Sequence, residues 1–443
     1  MSKTNLPNES IETYLIRRRA LMRLGAMAGL GAALPGLRAQ AQAKPATPLQ
    51  FVGWQYNPQI VAQNVETFEQ LYDENVNYQL IPGEYAPITE TMLVAGKKFD
   101  MMYSEEATLA RWITAGWAQD VDSMPDVAAI KASMVPVGVR NLSLPNGKLG
   151  GLPYYAGYGS FIYNEKHLDQ AKLQPPTSWA EFLEQARQLK KDKIVEFPYV
   201  SAWAHQAPSF SWSLFSIWYS EGAKVFDANF DPVFDDKFTS VLEMHRTLYR
   251  ERLVSPDIFT LPQEGVPSYA TGQHTFAVIH DYDQKVLNDP KLSQCAGQVR
   301  NAIMPGATRS TFSWVSMYLM GAGAADPDRA WNLLRFFGGK AKDGQYHVIK
   351  RWALQFGLGT PYTEVMNDPE VAASFKSWKD TDVALQQLQN STPRDVGKTL
   401  WYQDWDWYMM GAVQDYIRGS QPTSALVADL HKQVGVFKAR YAT

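Results

Sequence analysis

From Leu49 onward, short apolar runs alternate with longer stretches in which apolar residues recur every three or four positions, the pattern of an α/β chain. "LQFVGW" predicts a first strand, and Asn57 followed by Pro58 supplies an N-cap and a first-turn proline for the helix after it. That helix carries Val61, Val65, Phe68 and Leu71 on one side. "NYQLI" and "FDMMYS" read as the next strands, and between them "YAPITETMLVAG" predicts a helix stopping near Gly96. Ser178 and Glu181 fit a capping box that opens another helix, with Phe182, Leu183, Ala186 and Leu189 as its buried stripe. The paired prolines of "QPPTSW" cannot be helical and fix its start. "SMYLMGAGAADPDRAWNLLRFF" gives a strand, a glycine break and a helix capped near Asp326.

Two further runs, "GLPYYAGYGSFIYN" from Gly151 and "HTFAVIHDYD" from His274, are strand-like with polar and aromatic tips, and read as crossings between lobes. No repeat, low-complexity tract or proline-rich linker separates the pieces, so two interleaved lobes are expected rather than beads on a string.

Ahead of this pattern stands "YLIRRRALMRLGAMAGLGAALPGLRAQAQA": a basic head, an apolar run from Leu24 to Leu37, then Ala39, Ala41 and Ala43. It reads as a cleavable export signal over residues 1–43. Arg18 and Arg19, followed by Ala20, Leu21, Met22 and Arg23, resemble the twin-arginine pattern; the alternative is an ordinary secretory signal. Cleavage after Ala43 leaves 400 of the 443 residues. It also removes four net positive charges, so the net charge of −3 becomes −7. A mildly acidic surface argues against a nucleic-acid partner, since phosphate binding needs a basic face. Cys295 is the only cysteine, which excludes an internal disulfide and a lipid-bearing cysteine at the processing site. The mature chain is expected free in the periplasm.

Catalytic and cofactor motifs are sparse. The seven histidines are scattered without an HExxH pair, and one cysteine cannot build a zinc cluster. "GYGSF" is not a nucleophile elbow, and "GGKAKDG" lacks the spacing of a phosphate-cradling loop. No cofactor and no metal site is therefore expected. Glu105 with Glu106, or Asp404 with Asp406, would be the acid and base of a secreted carbohydrate-active enzyme, the alternative from another class.

"NGKLGGLPYYAGYGSFIYNEKHL", "PPTSWAEFLEQARQLK", "GQHTFAVIHDYD", "AGQVRNAIMPG" and "PDRAWNLLRFFGG" together resemble, in order, the family 1 extracellular solute-binding proteins. These are the periplasmic receptors of ABC importers, maltodextrin and glycerol-phosphate binders among them. The resemblance implies a type II two-lobed α/β periplasmic binding protein, its interleaved lobes joined by hinge strands with a ligand cleft between. Carried over by motif, the hinges fall at Tyr155 and Gly157, at Ile279, and at Gly321. The lobes become 44–155 with 281–322, and 156–280 with 323–443. The hinge glycines are expected to absorb changes in φ and ψ. The implied partners are a small-molecule solute, a sugar or polyol above all, and the permease subunits of an ABC importer, with a cytoplasmic ATPase engaged indirectly. A monomer is expected.

A sugar presents apolar faces and hydroxyl edges, so its pocket needs flat rings beside groups that exchange hydrogen bonds. Open α/β sheets bind at the carboxyl ends of their strands. By that rule the first strand offers Trp54, Gln55 and Tyr56, and the third offers Ser104 and Glu105. The crossings add Tyr158, Asp281 and Tyr282, and "SFSWSLFSIWYSEG" adds Phe210 and Trp212, with Trp218 left to the core. In "LWYQDWDWYMM", Trp401, Trp405 and Tyr408 share the face that anchors a helix, which directs Asp406 and Trp407 to the cleft. An anionic solute would need arginines at loop tips, where Arg111 and Arg140 are the nearest. The same rings with Glu105, Asp281 and Asp406 would also form a cage for a polyamine, the alternative cargo on this fold.

Overall fold

The computed structural model describes residues 47–204, 209–261 and 265–441, so the export signal with Arg18, Arg19, Ala41 and Ala43 lies outside the described residues. The strands are β1 (Leu49–Trp54), β2 (Val76–Ile81), β3 (Met101–Ser104), β4 (Ala118–Gln119) and β5 (Leu152–Asn164). They continue with β6 (Tyr199–Ser201), β7 (Phe276–His280), β8 (Val299–Ala302), β9 (Thr311–Gly321) and β10 (Ser391–Pro393). The main path is β2-β1-β3-β9-β5-β7-β6. β1 runs parallel to β2 and β3, while β9 is antiparallel to β3.

β5 belongs to both halves of the molecule. Leu152–Tyr158 pairs with β9, whereas Gly159–Asn164 pairs with β7 on one side and β8 on the other. β9 is likewise shared, because its last residues pair with β3 and β4 and its first three with β10.

The sheet is mixed, and each half is covered by helices. In the first lobe Phe51 meets Phe337, with ring centroids 5.1 Å apart, and Phe68 meets Phe336 at 5.4 Å, so the helices Pro58–Tyr72 and Pro327–Gly338 share one face. Tyr85 meets Tyr103 at 5.3 Å and brings the helix Tyr85–Val94 against β3. In the second lobe Phe182, on the helix Trp179–Lys191, packs on Tyr199 and Phe276 at 5.2 and 5.3 Å.

The chain passes between lobes at places other than those expected. Residues 281–322 do not all return to the first lobe, because β8 pairs with the second-lobe half of β5 and Arg300 ion-pairs with Glu165 at 2.9 Å. Ile279 therefore sits within a second-lobe strand rather than at a crossing, and β9 carries the chain back. Residues 327–356 then stay with the first lobe: Arg329 ion-pairs with Glu74 at 2.5 Å, and the Lys342 amide donates to the Tyr72 hydroxyl at 2.7 Å. The reason is where β9 ends. Gly321 donates its amide to the Asp100 carbonyl beside β3, so the next helix starts on that side.

Most helix starts follow the sequence signals, with one exception. Ser178 accepts from the Glu181 amide at 3.1 Å and Asp326 from the Arg329 amide at 3.1 Å. Asn57 instead takes a left-handed conformation, φ 44°, and makes no side-chain cap. Gly157 and Gly321 are also constrained by packing. Neither has positive φ; a Cβ on Gly157 would overlap the Tyr155 hydroxyl, and one on Gly321 would overlap the Phe99 carbonyl. They permit close approach of neighbouring chain.

Gly321→Ala forces a methyl against backbone that cannot swing aside, and lowers the unfolding free energy by about 1–3 kcal/mol. Gly435, exposed in the helix Thr423–Arg440 with open space around it, is the contrasting case. Gly435→Ala raises stability by about 0.5–1 kcal/mol. Urea unfolding of the two variants reads both signs.

Candidate functional site

Two groups of aromatic rings flank β5. In the first lobe Trp54, at the end of β1, stacks on Tyr56 with centroids 5.8 Å apart and planes 10° apart, and Tyr56 stacks on Trp352 at 5.6 Å. Trp352 meets Tyr154 at 5.9 Å, and Trp54 meets Tyr103 at 6.0 Å. With Gly53 and Tyr78 these rings line a small pocket. Gly53 has to be small here, because a Cβ would press on the Tyr78 ring. Gln55 is exposed beside them.

The second group lies where β5 passes to the other lobe. Trp212 stacks on Trp314 with centroids 4.6 Å apart, and both meet His280 edge-on at 5.0 Å. Tyr282 stacks on His280 at 5.3 Å, and its hydroxyl hydrogen-bonds the His280 Nδ1 at 3.2 Å. Tyr155 closes the group against Tyr282 and Trp314.

The carboxylates and hydroxyls named from sequence are mostly engaged inside the protein. Asp281 is buried; it accepts from the Tyr155 hydroxyl at 3.2 Å and lies 3.5 Å from the Lys379 ammonium. Burial pushes the Asp281 carboxyl up and Lys379 opposes that shift. Asp406 is buried too, accepting from Ser211 Oγ at 2.5 Å and the Tyr402 hydroxyl at 2.7 Å, with Arg394 Nη1 at 3.5 Å. It therefore points inward, contrary to the expected cleft-facing position. Ser104 shares a hydrogen with Thr108 Oγ1 at 2.7 Å and is wholly buried. Tyr158 is buried with its carbonyl accepting from the Asp281 amide, and Phe210 packs against Trp203 with no exposed surface. In this conformation Ser104 and Phe210 present no surface to a ligand, and Tyr158, Asp281 and Asp406 present little.

Trp407 behaves as expected of an outward ring, at 50 % exposure, while Trp401 and Trp405 are buried against Phe226. Four residues earlier on the same helix, Gln403 Oε1 accepts from Arg111 of the first lobe at 3.4 Å. Trp407 therefore lies on the helix face turned toward the first lobe. Sequence reasoning missed Trp314, Trp352, His280, Lys379 and Arg394. Both tryptophans sit in runs that read as core, and neither cation lies in a motif. Among the described residues, no group of three or more His, Cys, Asp or Glu side chains could hold a metal, and no helix is long and apolar enough to cross a membrane.

Glu105, partly exposed at the end of β3, remains. Burial pushes its carboxyl up to about 7, Glu106 adds to the shift and Arg394 opposes it. A carboxyl raised in the folded state holds its proton where the unfolded chain releases it, so its contribution to stability is lost as pH rises from about 4.5 to about 7. Thermal melts of the wild type and Glu105→Gln across that window test the assignment. The melting temperature of the wild type falls with pH relative to the variant, and parallel curves would place the proton elsewhere.

No curated protein matches the sequence. Among solved structures, maltose-bound MalE3 of T. maritima superposes with a TM-score of 0.75 at 16 % identity, covering 88 % of this chain and 99 % of its own. A ribitol-bound ABC transporter solute-binding protein of Agrobacterium radiobacter K84 gives 0.74 at 14 % identity, covering 88 % and 98 %. A D-mannitol-bound counterpart from Agrobacterium vitis S4 gives 0.71 at 17 %, covering 90 % and 99 %. At such identities the likeness establishes the two-lobed fold. The sequence profile of the bacterial extracellular solute-binding proteins matches residues 55–343, more than half of the chain, and the protein belongs to that family.

Proposed function

We propose that this protein is the periplasmic receptor of an ABC importer. It binds an uncharged sugar or polyol between its lobes and delivers it to the membrane permease, whose cytoplasmic ATPase it meets only through that permease. The observation that carries the chemistry is the division of labour in the site: rings are left accessible while carboxylates are consumed. Trp54 is 38 % exposed on one lobe and Trp407 50 % on the other, and Tyr56, Trp212 and Tyr282 are half-buried between them. The maltose, ribitol and mannitol held by the similar structures are uncharged and polyhydroxylated, in keeping with this supply.

The polyamine alternative needs free carboxylates. Asp281 is matched by Lys379 and Asp406 by Arg394, and a Glu105 titrating near 7 carries only part of a charge at neutral pH. A glycosidase reading fares no better. In the two expected pairs, Glu106 is tied to Arg394, Asp406 is buried against Arg394 and Asp404 accepts from the Tyr441 hydroxyl, so neither pair keeps two carboxylates without a partner. The export signal read in residues 1–43 fits a periplasmic receptor, which we take to be a monomer.

Titration of the mature protein with maltose, ribitol, D-mannitol and spermidine, followed by tryptophan fluorescence and calorimetry, tests the reading. One of the three uncharged compounds binds and is recovered unchanged. A single buried ring contributes roughly 1.5–3 kcal/mol, so Trp54→Ala and Trp407→Ala each weaken that binding by roughly 10- to 100-fold. Binding of spermidine alone, or release of glucose from maltose, would overturn it.

A further inference from the structure

Arg394 follows β10 and lies beside the crossing strands, with Phe312 of β9 at 4.9 Å from its guanidinium carbon. Its side chain is almost fully buried, yet it reaches both lobes. Toward the first, Nη2 donates to Glu106 Oε2 at 3.2 Å and Nε to Oε1 at 3.4 Å. Toward the second, Nη1 donates to Ser211 Oγ at 2.6 Å, and Ser211 passes a hydrogen bond on to Asp406. Phe215 and Tyr402 complete the wall around the cation at 4.9 and 4.7 Å. The residues after it grip the first lobe as well. Gly397 lies so close to Glu106 that a Cβ would overlap the carboxylate, and Lys398 donates to the Arg140 carbonyl at 2.8 Å.

The two carboxylates that Arg394 joins are chain neighbours of two cleft candidates. Glu106 opens the helix Glu106–Thr114 immediately after Glu105, and Asp406 immediately precedes Trp407. We propose that Arg394 is a positioning residue that registers the two walls of the ligand cleft, holding Glu105 through Glu106 and Trp407 through Asp406. It touches no ligand itself. The ends of the tie sit on different lobes, so weakening it lets the lobes separate rather than loosening one of them. The inference rests on the receptor reading for its purpose but not for its geometry.

Glu106→Gln removes the charge and one of the two acceptor oxygens of the first-lobe anchor while leaving Arg394 its partners in the second lobe. Small-angle scattering of the unliganded mature protein, well below its melting temperature, then gives a larger radius of gyration than wild type. Affinity for whichever of maltose, ribitol or D-mannitol the wild type binds falls by roughly 5- to 150-fold, the usual span of coupling between sites. Arg394→Lys, which keeps the charge and loses the fork, gives a smaller shift in the same direction. Val241→Ala, a core change in the second lobe, lowers the melting temperature without moving either readout. Unchanged scattering and affinity in Glu106→Gln, or an equal change in Val241→Ala, would sink the proposal. If Glu106→Gln does not fold, the same comparison is decided on Arg394→Lys. If the wild type binds none of the three compounds, the receptor reading fails while scattering still decides the tie.

Discussion

The antiparallel ladder between β5 and β9 is the constraint on which the two-lobed arrangement rests. Both strands are long enough to belong to two half-sheets, so their pairing from Leu152–Tyr318 to Tyr158–Ser313 fixes the lobes to a common floor. The ladder shifts by one residue between Pro153 and Tyr155, which leaves Tyr154 unpaired at a bulge. Tyr154 joins the first-lobe rings through Trp352, and Tyr155 joins the second group through Trp314 and Tyr282. One strand thus supplies both aromatic walls. The small residues along it are required by this crowding: Gly157 lies under the Tyr155 hydroxyl and Gly159 under Ser216.

Buried charge flanks the same floor. Asp281–Lys379 meets β5 through the Tyr155 hydroxyl, and Glu106–Arg394–Asp406 meets β9 at Phe312. Such groups are not needed for stability, since well-packed apolar residues in their place often serve as well. What they add is directionality, because a guanidinium fork accepts few arrangements of its partners. Burial works against the Arg394 charge, and the facing Glu106, with Tyr402 and Asp406, restores it, so the group is held above its ordinary range. The cation therefore stays charged at any pH the protein meets.

Local structure was largely legible in the sequence because it depends on local signals. Alternation and capping placed β1, β5, β7 and the helices opening at Ser178 and Asp326. The lobe boundaries were not legible, since membership is decided by partners distant in the chain. Phe337 belongs with Phe51, and β8 with β5, on the strength of contacts that no window of sequence contains. The ring-rich stretches were recognised, and so were the outward Trp54 and Trp407. Which carboxylates stay free was beyond reach for the same reason as the boundaries. Asp281 and Asp406 look like binding groups until Lys379 and Arg394, 98 residues after the one and 12 before the other, are seen to occupy them.

Trp54 and Trp407 are the only exposed tryptophans among the described residues, and they belong to different lobes. Fully burying one such ring is worth roughly 1.5–3 kcal/mol, comparable with the few kcal/mol that separate alternative conformations of a hinged protein. Exposed indoles on both lobes therefore favour closing the cleft empty. A receptor has to prevent that, since a lobe pair that closes without cargo gains nothing from binding it. Fixing each ring's neighbour to a common buried cation holds the walls at a set spacing, and leaves the solute to fill what the indoles cannot reach. The ion tie and the exposed rings are then two parts of one device, the first setting the gap and the second rewarding the molecule that fills it.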